Sequence, residues 1–135
     1  MDLAQADCNQ TGVAEASDVE SYKVVRPEHL NHFGYLFGGC LLKWVDEIGW
    51  IAASRDHPGC SFVTVAMDRV EFRRGVRQGA LLRLDARESA RGTTSVEYAV
   101  QVFADDLATG AEEAIFSTHI RFVCLDVGGR KTPIP

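Results

Sequence analysis

The sequence contains one carboxylate in an unusual setting, because Asp46 lies inside a mostly apolar run that opens with the pair Gly38-Gly39. An unpaired carboxylate in apolar surroundings is costly, so it needs a partner or a chemical task. The run has helical spacing over residues 39–54, which places the glycines at the helix N-terminus. Free N–H groups and the positive end of the helix dipole favour negative charge there, and glycine lets a ligand approach closely.

Such a combination suits hydrolysis of a thioester. The N–H of Gly39 could donate to the thioester oxygen and stabilise the charge that develops on it. Asp46 could activate a water as general base or attack the carbonyl carbon itself, and Asn31 could hold that water or add a donor. The residues alone also allow structural roles: an ion pair of Asp46 with Lys43 or a sheet arginine, a loop or cap role for Asn31, and a tight helix start at Gly38-Gly39.

One helix and five strands are predicted to hold these groups in place. The helix is apolar around most of its circumference, with one stripe formed by Leu41, Val45, Ile48 and Ala52, and such a helix is usually buried. Composition and alternation predict strands at residues 21–26, 62–72, 81–90, 94–104 and 114–125. Short turns join the last four strands, which favours antiparallel pairing. This order predicts an α+β hotdog fold, in which a curved antiparallel sheet wraps around one long central helix.

Composition narrows the class of protein further. The chain has 135 residues, 46% of them hydrophobic, which suits one domain, predicted over residues 20–135 after a flexible tail at residues 1–19. The net charge of −5 argues against general nucleic-acid binding, and no segment is apolar for long enough to cross a membrane. The polar N-terminus lacks the features of a secretory signal, so we predict a cytoplasmic protein. The four cysteines and four histidines lack metal-ligand spacing, so we expect neither a metal site nor a cofactor.

One block of residues runs through the loop and into the helix: Asn31-x-x-Gly34-x-x-Phe37-Gly38-Gly39-x-Leu41-Leu42-x-Trp44-x-Asp46-Glu47. Further blocks follow in order at residues 63–64, 68–72, 92–97 and 122–126. Together they resemble the signature of the acyl-CoA hydrolase family of hotdog thioesterases, over roughly residues 22–135. The resemblance implies hydrolysis of an acyl-CoA to a free carboxylic acid and CoA, with catalytic roles for Asp46, Asn31 and Gly39.

The resemblance also implies a shared active site. The resemblance implies that Asp46 of one subunit works with Asn31 of the other subunit or with the near neighbours of Asn31. We therefore expect acyl-CoA as the substrate and a homodimer as the basic unit. Further assembly to a tetramer or to a hexamer, as a trimer of dimers, is also expected from the family.

The CoA and acyl groups need binding residues of their own. The resemblance places Phe37, Gly38 and Thr64 among them. Arginine suits the CoA phosphates, because its forked donors match phosphate oxygens. The candidates for the phosphates are the turn Arg91, Gly92, Thr93 and Thr94, with Arg73 and Arg74 expected nearby, and Lys131 in the C-terminal tail. The resemblance favours the turn and the tail lysine most.

Two positions depart from the family pattern. Gly75 stands where the family usually has proline, and Ala80 stands where it often has an acidic residue. Because glycine is freer than proline, Gly75 is expected to loosen this turn. The departures leave the predicted catalytic helix unchanged but make the CoA contacts of this loop uncertain.

Several alternatives remain open from the sequence. The aromatic residues could line an acyl tunnel or pack in the core or between subunits: Phe33, Tyr35, Phe37, Trp44 and Trp50. A hotdog 3-hydroxyacyl thioester dehydratase would use His32 with Asp46, although its pattern prefers prolines in the loop and glutamate on the helix. A non-enzymatic acyl-CoA sensor would bind the thioester without turnover. The length and type of the acyl group are not fixed by the sequence.

Overall fold

The computed structural model describes residues 18–135 and contains one long helix and five strands. The predicted tail lies outside the described residues except for Asp18 and Val19. In chain order the elements are β1 (Val19–Val24), a 3-10 turn (Pro27–His29), α1 (Gly38–Asp56), β2 (Ser61–Phe72), β3 (Leu81–Arg91), β4 (Ser95–Asp105) and β5 (Glu112–Leu125). The helix and the five strands lie within two residues of their predicted bounds, and the 3-10 turn falls in a predicted loop. Strand β1 starts earlier than predicted because Val19 already pairs with Ala86 of β3.

The strands form a single antiparallel sheet in the order β1-β3-β4-β5-β2. Helix α1 packs against all five strands. The α+β hotdog fold predicted from the sequence is therefore confirmed. No helix within residues 18–135 is long and apolar enough to span a membrane.

The core lies between helix α1 and the concave face of the sheet. The predicted stripe of Leu41, Val45, Ile48 and Ala52 is buried, and so are the alternating positions of the central strands. Gly49 allows the close approach, since a Cβ there would lie 3.1 Å from the ring of Phe122. The buried strand residues include Leu82, Leu84, Ala86, Val96, Tyr98, Val100, Val102, Phe116, Ile120 and Phe122.

Strand β2 differs from the simple alternation predicted for it. Its pairing with β5 shifts register between Thr64 and Ala66 and again between Asp68 and Glu71, and Arg69 has a left-handed φ of 57°. Such bulges add an unpaired residue and turn side chains to the other face. Within the described chain β2 is an edge strand, and most of its side chains are exposed, including Val63, Val65, Val70 and Phe72.

Candidate active site

The carboxylate of Asp46 is half-buried on α1 and is held by a neighbour on β2. The hydroxyl of Thr64 donates a hydrogen bond of 2.7 Å to Asp46 Oδ1. Its hydrogen-bond partner within residues 18–135 is thus a neutral hydroxyl, rather than the Lys43 or arginine that the sequence left open. One carboxylate oxygen is fixed by Thr64, and Oδ2 remains available as a base or nucleophile.

The N-terminus of α1 presents free donors, as the sequence predicts. The carbonyl of Phe37 accepts the N–H groups of Cys40 and Leu41, and no side chain caps this end. The N–H groups of Gly38 and Gly39 therefore have no acceptor among residues 18–135. Phe37 is exposed and its ring lies against Gly39, where a Cβ would come within 2.7 Å of a ring carbon.

Asn31 shapes the loop that precedes the helix. Its Oδ1 accepts the N–H groups of Phe33 at 2.9 Å and Tyr35 at 3.1 Å. The main-chain N–H of Asn31 also donates to the carbonyl of Tyr35, at 2.7 Å. Since the oxygen of the amide is occupied by two donors, the NH₂ group is the part of Asn31 that can reach a substrate.

A cavity of about 360 Å³ opens beside Gly38 and Asn31. Its wall is mainly apolar. It includes the ring of Phe72, at the end of β2, and residues of the loop that follows β2. The apolar members are Leu36, Leu41, Phe72 and Val76, and Tyr35, Arg74 and Gly75 complete the wall. This cavity begins at the free N–H groups of the helix and is the natural space for an apolar group bound next to them.

Asp46 does not border that cavity. It lies seven residues after Gly39, which corresponds to about 10 Å along the helix axis. A thioester carbonyl bound to the N–H of Gly39 cannot also be within hydrogen-bonding reach of Asp46 in the same chain. The two halves of the predicted site are therefore separated within one subunit.

The residues predicted to bind CoA phosphates form two groups at opposite ends of the sheet. The N–H of Arg73 donates to the carbonyl of Ile115 on β5. Arg91 lies opposite Val96 of β4, and Val96 in turn lies opposite Phe122 of β5. Those two β5 positions are seven residues apart, or about 23 Å at the usual rise of a strand. The expectation that Arg73 and Arg74 lie near the Arg91 turn is therefore wrong for a single chain, because β2 runs from one end of the sheet to the other.

The Arg73–Arg74 group lies near the N-terminus of α1. Arg73 bonds to Ser117 at 3.0 Å and lies 3.5 Å from Glu71, and Arg74 pairs with Glu113 at 2.8 Å. Arg74 also borders the apolar cavity. Both side chains are partly exposed, at 43% for Arg73 and 46% for Arg74.

The second group brings the β3–β4 turn and the C-terminal tail together. The carbonyl of Thr93 accepts the N–H of Ile134 at 2.9 Å, and the N–H of Thr132 bonds to the carbonyl of Cys124. These bonds hold the exposed Lys131 at the same end of the sheet as the turn. A second cavity, of about 230 Å³, is bordered there by Arg91, Gly92 and Arg121. The turn is also bonded to β5, since the carbonyl of Thr94 accepts the N–H of Cys124.

The thioesterase superfamily model matches residues 33–111 of this chain, which covers the loop of Asn31 from its third residue, the helix and most of the sheet. The chain belongs to the thioesterase superfamily. Among its relatives, an uncharacterized acyl-CoA thioester hydrolase of Bacillus subtilis (strain 168) is 33% identical over 126 residues, which are 93% of this chain and 73% of that protein. Acyl-coenzyme A thioesterase 11 of Mus musculus is 31% identical over 112 residues, but the chain covers 19% of its length.

Solved structures of the superfamily share the fold. An acyl-CoA hydrolase from Staphylococcus aureus, in complex with butyryl coenzyme A, coenzyme A and coenzyme A disulfide, matches with a TM-score of 0.82 and 32% identity, over 89% of this chain and 73% of that one. Alanine mutants of that enzyme at an asparagine, an aspartate and a threonine match too. An apo-hexameric acyl-CoA thioesterase has a TM-score of 0.82 and 31% identity, over 89% of this chain and 76% of that one.

This member of the thioesterase superfamily also has a polar network at the C-terminal end of α1, which the sequence did not predict. Glu88 lies 3.0 Å from Nε2 of the buried His57 and accepts a bond of 2.9 Å from Arg91. Next to it, the hydroxyl of Tyr98 donates to Asp56 at 2.6 Å. These residues lie far apart in sequence, so the spacing of the helix and strand patterns contains no signal that they meet.

The network shifts the ionisation of its members. Burial raises the pKa of Glu88, but the hydrogen bonds from Arg91 and His57 outweigh it and bring the pKa below its ordinary value. The hydrogen bond to Glu88 raises the pKa of Arg91. Burial and the acceptor Asp56 raise the pKa of Tyr98 far above its usual range. At neutral pH Glu88 and Arg91 are therefore a charged pair, and Arg91 is oriented before any ligand arrives.

The other candidates from the sequence have varied surroundings. His32 is exposed and stacks against Phe33 at 4.1 Å, without a bond to Asp46 among residues 18–135. Trp44 is buried with its ring 4.8 Å from His29, so it belongs to the core. The exposed Trp50 donates from Nε1 to the carbonyl of Phe62 on β2. Within the described part of the chain, no three His, Cys, Asp or Glu side chains are grouped so as to hold a metal ion.

Proposed function

We propose that the chain hydrolyses an acyl-CoA thioester to a free carboxylic acid and CoA. The observation that carries the proposal is the half-buried Asp46 carboxylate, which Thr64 holds without neutralising it. In the general-base form, Asp46 removes a proton from water as the water oxygen bonds to the carbonyl carbon. The C–S bond then breaks and the CoA sulfur leaves with a proton. In the nucleophilic form, Asp46 itself bonds to the carbonyl carbon and the C–S bond breaks, so that CoA leaves as a thiolate that takes a proton from solvent. Water then hydrolyses the resulting mixed anhydride, which releases the carboxylic acid and restores Asp46.

The donors for the thioester oxygen come from the start of the helix. The free N–H of Gly39 lies at the positive end of the helix dipole, where charge that develops on the oxygen is stabilised. The NH₂ group of Asn31 adds a second donor or orients the attacking water. Both groups border the apolar cavity or lie next to it, so the acyl chain has room beside them.

The site is completed by two copies of the chain. Asp46 and Gly39 are about 10 Å apart along one helix, so we infer that Asp46 of one copy works with Asn31 and Gly39 of the other. The apolar edge strand β2 and the exposed Trp50 beside it supply a surface for this pairing. Two-fold symmetry then gives two equivalent sites per dimer. Further assembly follows the precedent of the apo-hexameric relative.

A two-fold arrangement also makes a place for both arginine groups. A molecule as long as CoA extends across more than one subunit, and the Arg91 turn with Lys131 is our first choice for its phosphates. Arg73 and Arg74 are the second choice. Each has an acidic or hydroxyl partner, as Arg91 has in Glu88, but Arg91 shares its end of the sheet with the exposed Lys131. The proposed reaction consumes water and uses no cofactor. As the human relative is called a cytosolic acyl coenzyme A thioester hydrolase, a cytoplasmic location remains our proposal.

The central experiment replaces Asp46 by asparagine, which keeps the size and the bond from Thr64. We expect the variant to keep its fold and assembly and to lose about 10³-fold or more in kcat on acyl-CoA, because the base or nucleophile is gone. Released thiol is followed over a panel of acyl-CoAs, with circular dichroism as the fold check. Turnover near that of the wild type on all substrates would remove Asp46 from the mechanism.

Mixed dimers test the sharing of the site. Asp46→Asn and Asn31→Ala are each expected to be nearly inactive alone. After unfolding and refolding together, half of the dimers contain one copy of each, and one of their two sites is intact, so activity should return to about a quarter of the wild-type value. Recovery of no activity, with mixed dimers proven by mass spectrometry, would place the whole site in one subunit.

The alternatives are not favoured. The relatives are called thioester hydrolases, not dehydratases or sensors. His32 is turned toward Phe33, so the pair required by a dehydratase is not formed within the described chain. Activity in His32→Ala on acyl-CoA, without hydration of an enoyl-CoA by the wild type, is the expected outcome.

A further inference from the structure

Tyr35 stands between two cavities. It borders the apolar cavity beside Gly38, and it also borders a larger one of about 460 Å³ on its far side. The two cavities share the chain segment Arg74, Gly75 and Val76 as a further part of their common wall. The ring of Tyr35 is the bulkiest part of this wall.

The two cavities differ in character. Before Tyr35, the wall is formed by Leu36, Leu41 and Phe72. Beyond it, Arg77, Gln78 and Asp105 take their place, together with Ala80 and Ala104. An alkyl chain that starts at the helix N-terminus thus passes a mainly apolar wall until it meets the ring of Tyr35, and beyond the ring the wall is more polar.

The ring is fixed from three directions. Its face lies against Gly75, where an added Cβ would be 2.8 Å from the ring. The guanidinium of Arg77 covers it at 4.4 Å from the ring centre and donates to the phenol oxygen at 2.8 Å. The main chain of Tyr35 is bonded to Asn31 and forms a bridge with Arg77.

We propose that Tyr35 is a specificity-determining residue that sets the maximum length of the acyl chain; this rests on the proposed thioesterase function. With the thioester oxygen at the N–H groups of Gly38 and Gly39, the acyl chain enters the apolar cavity and ends at the ring. A longer chain must either displace the ring, which Arg77 and Gly75 oppose, or leave its end in the polar cavity or in water. Hydrolysis therefore favours chains that end before Tyr35.

Gly75 helps to fix the position of the Tyr35 ring. A residue with a side chain at position 75 would occupy the space that the Tyr35 ring now fills, so glycine lets the ring lie against the backbone. The sequence led us to expect that glycine would loosen this turn. In the structure the space left by the missing side chain is filled by an aromatic ring, which is held by a cation–π contact.

The test is a chain-length profile of kcat/KM from acetyl-CoA to palmitoyl-CoA. The wild type should decline beyond a certain length. Tyr35→Ala, which connects the two cavities but keeps the backbone bonds, should raise the ratio of long-chain to short-chain kcat/KM by about tenfold or more, since one methylene in a closed pocket is already worth that much. Tyr35→Phe keeps the ring and should keep the profile.

Controls separate the possible failures. Tyr22→Ala, at an exposed tyrosine of β1 outside both cavities, should keep the wild-type profile. Inhibition by free CoA should be the same for Tyr35→Ala and the wild type, because the acyl side alone has changed. If Tyr35→Ala does not fold, Tyr35→Leu should show a smaller shift in the same direction.

Two results would overturn the inference. One is an unchanged profile in folded Tyr35→Ala, with the wild type active, which leaves the proposed function standing. The other is an equal loss on all chain lengths together with weaker inhibition by free CoA, which would assign the cavity to the CoA side. A wild type that hydrolyses no acyl-CoA would instead refute the proposed function, and the inference with it.

Discussion

At its N-terminal end helix α1 begins with two glycines whose N–H groups have no acceptor within residues 18–135. At its C-terminal end, by contrast, Glu88 is bonded to both His57 and Arg91, and Asp56 accepts from Tyr98. Phe37 and the Gly38–Gly39 backbone are accessible beside an apolar cavity. At the other end, His57 and Glu88 are largely buried and bonded to each other.

The difference follows from what each end must do. Donors that stabilise charge in a reaction have to be unsatisfied and preorganised before the substrate binds, and the first turn of a helix offers such donors without extra cost. At the C-terminal end, buried polar groups need partners, since an unpaired one lowers stability. The comparison supports the proposed catalytic role of the N-terminal, open end at Gly38–Gly39 and indicates a structural role for the C-terminal, satisfied end at His57 and Glu88.

Between the two ends of the helix, the largest effect is expected from removing the donor at the open end. Gly39→Pro deletes the N–H group, and proline is tolerated in the first turn of a helix. We expect kcat to fall by about 10²- to 10³-fold, the usual loss for one oxyanion donor. Steady-state kinetics on an acyl-CoA panel, with thermal melting as the fold check, measure it.

The matched control for this loss is Gly39→Ala. It introduces the same Cβ near the exposed ring of Phe37 but keeps the N–H group. Its kcat should be clearly higher than that of Gly39→Pro. Equal losses in both variants would mean that space at residue 39, rather than the donor, is what the reaction needs.

At the satisfied end, we expect a loss of stability and not of turnover. Glu88→Gln keeps the shape of the side chain but turns an amide donor or a neutral oxygen toward Arg91 and His57. The free energy of unfolding at pH 7 should fall by about 1–3 kcal/mol, as for a buried group that loses its partner. Urea unfolding measures the change, and kcat on a saturating substrate should stay within about twofold if this end is structural.

The contribution of Glu88 to the free energy of unfolding should also depend on pH, in a defined direction. The pKa of Glu88 is lower in the folded protein than its ordinary value of 4.5. Its charged form is thus favoured by folding, so its contribution is complete above pH 4.5 and is lost as pH falls through the lower, folded-state pKa. The stability difference between wild type and Glu88→Gln should shrink below about pH 4.5. A difference that grows toward low pH would contradict the assigned charge state.

These two ends were not equally predictable from the sequence. The open end lies within one continuous segment, so the helical spacing, Gly38-Gly39 and Asp46 could be recognised along the chain. The stripe of Leu41 and Ile48 and the alternation in β3 and β4 are short-range patterns too, and they predicted the buried face. In contrast, His57 and Glu88 meet through the packing of α1 against the sheet, and separation along the chain does not encode that contact.

Strand β2 was predicted in its bounds but not in the faces to which its side chains point. Its residues have strand composition, which gave its bounds within one residue, but the two bulges reverse the faces of Val65 and its neighbours. A bulge depends on the partner strand rather than on local propensity. The position of Arg73 and Arg74 was missed for a related reason: nearness to the Arg91 turn was assumed, whereas the length of β2 places them at the other end of the sheet.

The smallest effects are expected from the exposed basic residues, and they decide which end binds the CoA phosphates. Lys131→Ala should raise KM for acyl-CoA by about fivefold, the upper range for an exposed charge pair, whereas Arg74→Ala, whose guanidinium already pairs with Glu113, should change KM by less than about twofold. The measurement compares acyl-CoA with the matching acyl-pantetheine, which lacks the nucleotide. An increase in KM that is confined to acyl-CoA identifies a phosphate contact, because the two substrates differ in that part alone. If Arg74→Ala shows that pattern and Lys131→Ala does not, the open end of α1 binds both the thioester and the CoA phosphates. The proposal that the phosphates bind at the other end of the sheet would then be wrong.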